Sequence, residues 1–253
     1  MKTMNCTRHL ALIGGGISGL SCATALQHAG LRVSVFDKTE STAAKYPEHS
    51  AQTAHLDSIY GASHWTRAAL HEWRATLRPP YVIDTNRDTQ LLDSYAGTPH
   101  VLIHGSARLG GTDHRFRLYA LDGSGYRAIA PTVADTELPL LFKPMGAPLP
   151  QPSYVASDAD QVDYITELMG GFAVPSFVKV RRRGRRYLLL GVRLDRDTER
   201  MILSDLVHDA AVGPAGWALI PEANDKERRL CQRIGIEIVE ADALALLAGA
   251  ATS

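Results

Sequence analysis

Three glycines and one acid carry the clearest chemistry in this chain. Gly14-x-Gly16-x-x-Gly19 follows the apolar run Leu10 to Ile13, and Asp37 follows the run Arg32 to Phe36. A glycine triplet at that spacing permits a tight strand-to-helix turn, close approach of a diphosphate to the backbone, and close packing of helix on strand. The helix that opens there offers unpaired N–H groups and a partial positive charge to phosphate oxygens. A carboxylate at the end of the next strand can accept hydrogen bonds from ribose hydroxyls, and it disfavours a 2′-phosphate. The residues expected to hold an adenine dinucleotide, FAD or NAD rather than NADP, are therefore Gly14, Gly15, Gly16, Ile17, Ser18, Gly19, Asp37 and Lys38.

Those residues need a strand, a helix and a second strand to position them. Leu10 to Ile13 reads as a buried parallel strand, Ile17 to His28 as a helix closed by Gly30, and Arg32 to Phe36 as the second strand. Residues 39–62 are small and polar without a clear period and read as loop or short elements. Trp65 to Leu77 has helical spacing and is stopped by Pro79-Pro80. Further strands are expected at Tyr81 to Ile83, His100 to Ile103, Leu138 to Phe142, Tyr187 to Gly191, Trp217 to Ile220 and Ile236 to Val239. Helices are expected at Asp160 to Met169, Arg196 to Val207, Ala223 to Ile234 and Asp242 to Leu247. Arg115 to Ala120 and Tyr126 to Ile129 flank Asp122-Gly123-Ser124-Gly125, which predicts a small β-hairpin inserted within residues 107–135. Alternating strands and helices predict an α/β fold with a doubly wound, mostly parallel, Rossmann-like sheet. Residues 1–253 are expected to form a single dinucleotide-binding domain.

Composition narrows the classes of function. Lys plus Arg equals Asp plus Glu at 27 each, so no global field recruits nucleic acid or an anionic membrane. Cys6, Cys22 and Cys231 are an odd set without metal-type spacing, which argues against disulfide stapling and for a reducing, cytoplasmic setting. His49, His55, His64 and His71 fall at spacings of 6, 9 and 7, which do not place ligand pairs on one helix face, and no metal site is expected. Apolar runs stay short of the roughly 20 residues that span a bilayer. The expected partner is thus a small-molecule dinucleotide, with no nucleic acid and no membrane; a protein partner is not legible.

The segment from His9 to about residue 40, in its Gly-Gly-Gly-x-Ser-Gly-Leu form, resembles the FAD-binding start of flavoprotein oxidoreductases such as the amine-oxidase-like families. That resemblance implies flavin-linked redox chemistry. From about residue 80 the chain resembles a second group, the sirtuin-like (silent-information-regulator-like) families, which bind NAD on a parallel sheet and cleave its nicotinamide–ribose bond. The segments that carry this are Thr85-Asn86-Arg87-Asp88, Leu141-Phe142-Lys143-Pro144-Met145-Gly146, Asp163-Tyr164 and Leu188 to Asp197. The resemblance implies catalytic roles for Asn86 and Asp88, with Asn86 orienting a water or a ribose hydroxyl. It departs at Met145, which stands where those families carry their general-base histidine and cannot take a proton, and at Arg193, which replaces a Ser or Thr. Read for themselves, Asn86 and Asp88 suit an N-cap and a turn carboxylate, and Met145 a core filler.

Three functions remain open on these residues: a FAD- or NAD-dependent oxidoreductase, an NAD-consuming hydrolase with a degenerate centre, and a non-catalytic dinucleotide-sensing module. His104 and Lys143 fall at strand ends, where doubly wound sheets bring ligands. Arg181, Arg182, Arg183, Arg185 and Arg186 read first as a solvated helix end, with phosphate or acidic-partner binding as the alternative.

Overall fold

The computed structural model describes residues 9–13, 32–36, 49–61, 69–107, 114–135, 137–192, 194 and 196–244. The first two strands, β1 (His9–Ile13) and β2 (Arg32–Phe36), pair parallel, with His9 opposite Arg32 and Ile13 opposite Phe36. Next come helices α1 (His49–Tyr60) and α2 (Ala69–Leu77), strand β3 (Tyr81–Ile83), the short helix α3 (Gln90–Ser94) and strand β4 (His100–Gly105). Strands β5 (Phe116–Leu121), β6 (Tyr126–Ile129) and β7 (Leu140–Lys143) follow, then the two-residue strands β8 (Gly146–Ala147) and β9 (Ser153–Tyr154). The remainder is α4 (Asp158–Gly170), α5 (Ser176–Arg181), β10 (Tyr187–Leu190), α6 (Asp197–Leu206), β11 (Gly216–Leu219), α7 (Asp225–Ile234) and β12 (Ile236–Val239).

The central sheet runs β3-β7-β4-β5-β6. Strands β3, β7 and β4 are mutually parallel, whereas β5 and β6 are antiparallel additions. The period of two along each strand sends alternate side chains to opposite faces. One face carries Val101, Ile103, Leu118, Leu140 and Phe142 against Tyr164, Ile165 and Leu168 of α4, Val178 of α5 and Ile202 and Leu206 of α6. The other carries Val82, Leu102, Tyr119 and Leu141 against Leu91 and Leu92 of α3 and the neighbouring Tyr95. A separate parallel sheet, β10-β11-β12, buries Leu189, Ala218 and Ile236 against Leu230 and Cys231 of α7.

Capping explains where two of the helices stop and start. Ser157 accepts from the Asp160 N–H ahead of α4 and Asn224 accepts from the Glu227 N–H ahead of α7, each within a reciprocal capping box. Both helices close on a left-handed glycine, Gly171 and Gly235.

Three expectations need correction. The described strands fall in four sheets instead of one: β1–β2, β8–β9 and β10–β12 each pair among themselves, and the five-stranded sheet is mixed because β5 and β6 run antiparallel. Within residues 107–135, where a hairpin was expected, β5 and β6 do pair antiparallel, and β5 joins the main sheet through β4. Residues 49–60 form a three-turn helix where loop or short elements were expected. The described start of the final expected helix, Asp242 to Leu244, is not helical. Among the described residues, no helix is long and apolar enough to cross a membrane.

Candidate functional site

Parallel α/β sheets present ligand sites beyond the carboxyl ends of their strands. In the central sheet that edge belongs to β3, β7 and β4, and three ionisable residues stand there in a row. Register places His104 opposite Lys143, and the Asp84 N–H extends the ladder by donating to the Phe142 carbonyl at 2.8 Å. Alternation puts all three side chains on the face that Leu102 and Leu141 share. Lys143 Nζ donates to Asp84 Oδ2 at 3.0 Å, with the lysine side chain fully buried and the aspartate 4% exposed. Asp84 Oδ1 accepts from the Asn86 N–H at 3.1 Å, so the same carboxylate shapes the loop that leaves β3.

His104 is fully buried, and its Nε2 meets the Ala147 carbonyl at 3.0 Å. That contact assigns the proton to Nε2 and the lone pair to Nδ1, which is buried without a hydrogen-bond partner among the described residues. Burial, reinforced by the charge of Lys143, pushes the imidazole down to about 4, so it is neutral at neutral pH and too weakly basic to serve as a general base there.

A hairpin roofs the row. Gly146 opens β8 at φ +79°, and a Cβ on it would stand 1.9 Å from the Ser153 carbonyl oxygen. A Cβ on Gly105 would stand 2.1 Å from the Pro144 carbonyl oxygen, so β4 and the β7–β8 turn approach backbone to backbone. Tyr154 of β9 donates to Asp57 Oδ1 of α1 at 3.1 Å, and its ring lies 5.9 Å from that of Tyr60. Burial, with the charge of Asp57, raises the Tyr154 hydroxyl above its ordinary range. Arg87 donates from Nε to the Val155 carbonyl at 3.1 Å, tying the β3–α3 loop to the end of the hairpin.

The sequence-derived residues fare differently in this setting. Asp88 accepts from the Gln90 N–H at 3.0 Å and from Gln90 Nε2 at 3.3 Å, the turn carboxylate at a helix start. Asn86 is exposed at the strand edge; its backbone N–H donates to Asp84, and its side-chain amide has no hydrogen-bond partner among the described residues. Met145 is buried in the apolar cluster of the α4 face. Gly14, Gly15, Gly16, Ile17, Ser18, Gly19, Asp37 and Lys38 lie outside the described residues, as do the helix expected at Ile17 to His28 and Arg193. What the register of β1 and β2 adds is that the last paired residues, Ile13 and Phe36, immediately precede Gly14 and Asp37 in the chain.

Sequence reasoning missed the Asp84–Lys143 pair. Its signal was a lone lysine closing the apolar run Leu140-Leu141-Phe142 and a lone aspartate closing Tyr81-Val82-Ile83.

Residues 12–78 match the family of NAD(P)-binding Rossmann-like domains. The N-terminal part of the chain is therefore a dinucleotide-binding start. The match ends ahead of Thr85-Asn86-Arg87-Asp88 and gives no support to the sirtuin-like resemblance. No curated protein matches the chain.

Proposed function

We propose that this chain holds an adenine dinucleotide, FAD or else NAD, on the turn Gly14-x-Gly16-x-x-Gly19, with Asp37 and Lys38 beside the ribose, and serves redox chemistry. The observation that carries the reading is the parallel register of β1 and β2. Ile13 pairs with Phe36, so the chain leaves both strands at the same end, into glycines from one and into an acid from the other. A diphosphate meets backbone N–H groups at such a turn, and a ribose hydroxyl meets the carboxylate one strand away. A bound flavin or nicotinamide would supply the two-electron chemistry. The protein's part is to bind it and orient it, and the residues from 1 to 253 act as one binding unit.

The test is direct. The purified protein should carry a flavin spectrum, or else be stabilised by added FAD or NAD. At about 100 times the dissociation constant the ligand adds about 3 kcal/mol, or roughly 6–12 °C in Tm for a chain of this size. Gly16→Val should abolish that gain, and NADP should give far less. A colourless protein whose melting responds to neither FAD nor NAD overturns the proposal. Stabilisation without turnover of any electron acceptor would assign the chain to dinucleotide sensing.

A second reading rests on Asn86, whose side-chain amide makes no hydrogen bond among the described residues and stands at the carboxyl edge of β3. It makes the chain an NAD-consuming hydrolase with Asn86 and Asp88 at its centre. Nicotinamide release from NAD, lost in Asn86→Ala, supports it; no release refutes it. The buried thioether of Met145 supplies no base for such a reaction.

A further inference from the structure

The stretch from Lys179 to Arg186 holds six basic residues and no acid in a chain whose net charge is zero. The structure shows what five of them do. Lys179 Nζ donates to the Gly171 carbonyl, and Arg182 is buried and donates to the Asp205 carbonyl at 2.9 Å. Arg183 faces Asp209 at 3.8 Å across an exposed contact. Arg185 and Arg186 reach backbone carbonyls through Nε, and neither has a carboxylate partner among the described residues.

This run does not merely line a convex helix end. It bounds a cleft of about 570 Å³ lined by Phe177, Val180, Arg181, Arg183, Gly184 and Arg185. Gly184 sits at φ +64°, in the left-handed region, and its N–H is spent on the Asp209 carbonyl at 2.8 Å. That turn sets Arg183 and Arg185 on either side of it. A Cβ on Gly184 would meet nothing within 4 Å, so the space above the turn is open. Val180, 65% exposed, and the half-buried Phe177 add an apolar wall to a guanidinium rim.

We propose that this cleft is a second binding site, for a small phosphorylated ligand of the nucleotide class. Guanidinium forks match phosphate oxygens in pairs, and an aromatic ring with an aliphatic neighbour suits a base or another flat apolar group. The size falls within the range of small-ligand sites, about 300–1,000 Å³. A polyanionic macromolecule is the poorer fit, because the chain as a whole has no positive field to recruit one. None of the residues that line the cleft belongs to the N-terminal glycine turn.

Calorimetric titration of the full chain with inorganic diphosphate, ADP and adenosine tests this. ADP should bind more tightly than diphosphate, and adenosine least. Arg183→Ala/Arg185→Ala should weaken ADP by at least about tenfold, the loss expected for two charge-assisted contacts. Both side chains are exposed, so the fold should persist, and the melting curve checks this. Arg183→Lys/Arg185→Lys keeps the charge and loses the forks; it too should weaken ADP several-fold. The titrations are run on Gly16→Val as well, which removes any ADP held at the dinucleotide turn; ADP binding that persists there and is lost with Arg183 and Arg185 belongs to the cleft. Equal ADP and diphosphate affinity in the wild type and the alanine variant overturns the proposal. So does unchanged affinity in the lysine variant, or binding of an acidic peptide or duplex DNA by a chain that takes up neither ADP nor diphosphate.

Discussion

Replacing Lys143 by methionine removes a charge of the buried pair while keeping much of the side chain's length. Asp84 then stays buried, with its Oδ2 facing no cation, in a strand edge covered by the β8–β9 hairpin. Breaking a buried pair from one side costs about 3–5 kcal/mol, because an uncompensated charge is left in a low-dielectric setting. Asp84 Oδ1 still accepts from the Asn86 N–H, which places the loss near the lower end of that range. For a chain of this length, about 3 kcal/mol corresponds to roughly 6–12 °C in Tm. Lys143→Met/Asp84→Leu removes both charges and should return to within about 1 kcal/mol of the wild type, the remainder being the lost bond to Asn86. Equilibrium urea denaturation of the wild type, both single variants and the double variant measures the coupling. A loss under about 1 kcal/mol in Lys143→Met, or a double variant that shows the sum of the two single losses, would refute the argument.

His104 makes a pH signature. Its folded value lies near 4 while the unfolded imidazole titrates near 6.5, so above 6.5 the ring is neutral in both states and contributes nothing. As pH falls, the unfolded chain takes the proton first, and stability drops by about 3 kcal/mol between 6.5 and 4. His100, also lowered by burial, acts in the same direction. Denaturation across that window should show a shallower slope in His104→Gln; parallel slopes would discount the buried imidazole. Gly146→Ala should destabilise by at least about 1–3 kcal/mol, since φ is positive and the added carbon meets the Ser153 carbonyl. Gly123→Ala, also at positive φ but with nothing within 4 Å of the new carbon, calibrates the backbone part alone. Equal losses in the two would remove the claim of close approach.

Local pattern and long-range pairing were not equally legible. The strands at Tyr81–Ile83, Leu140–Lys143 and Tyr187–Leu190 stand out as apolar runs bounded by charge or glycine, and each is a strand. The helix His49–Tyr60 was hidden because its His, Ser, Thr and Ala residues make no apolar stripe; Tyr154, from a hairpin far along the chain, meets it through Asp57. Asp84 and Lys143 lie 59 residues apart, and nothing local announces that β3 and β7 are neighbours. The division into separate sheets was illegible for the same reason. Strand direction is set by where connections cross, and the reversal at β5 depends on a register that composition does not encode. The turn role of Asp88 was legible, because a carboxylate two residues ahead of a helix start has a local partner to find.

The two outer strands of the central sheet bear on how this molecule meets others of its kind. β3 has three residues, and Pro79 and Pro80 ahead of it withhold two amide hydrogens. β6 has four, carries the exposed Arg127, and runs within two residues of Pro131. A foreign strand would find a template too brief and too charged at one flank and too proline-bound at the other to extend. Association by strand addition is thereby disfavoured at both flanks, and fibrillar stacking has little to start from there.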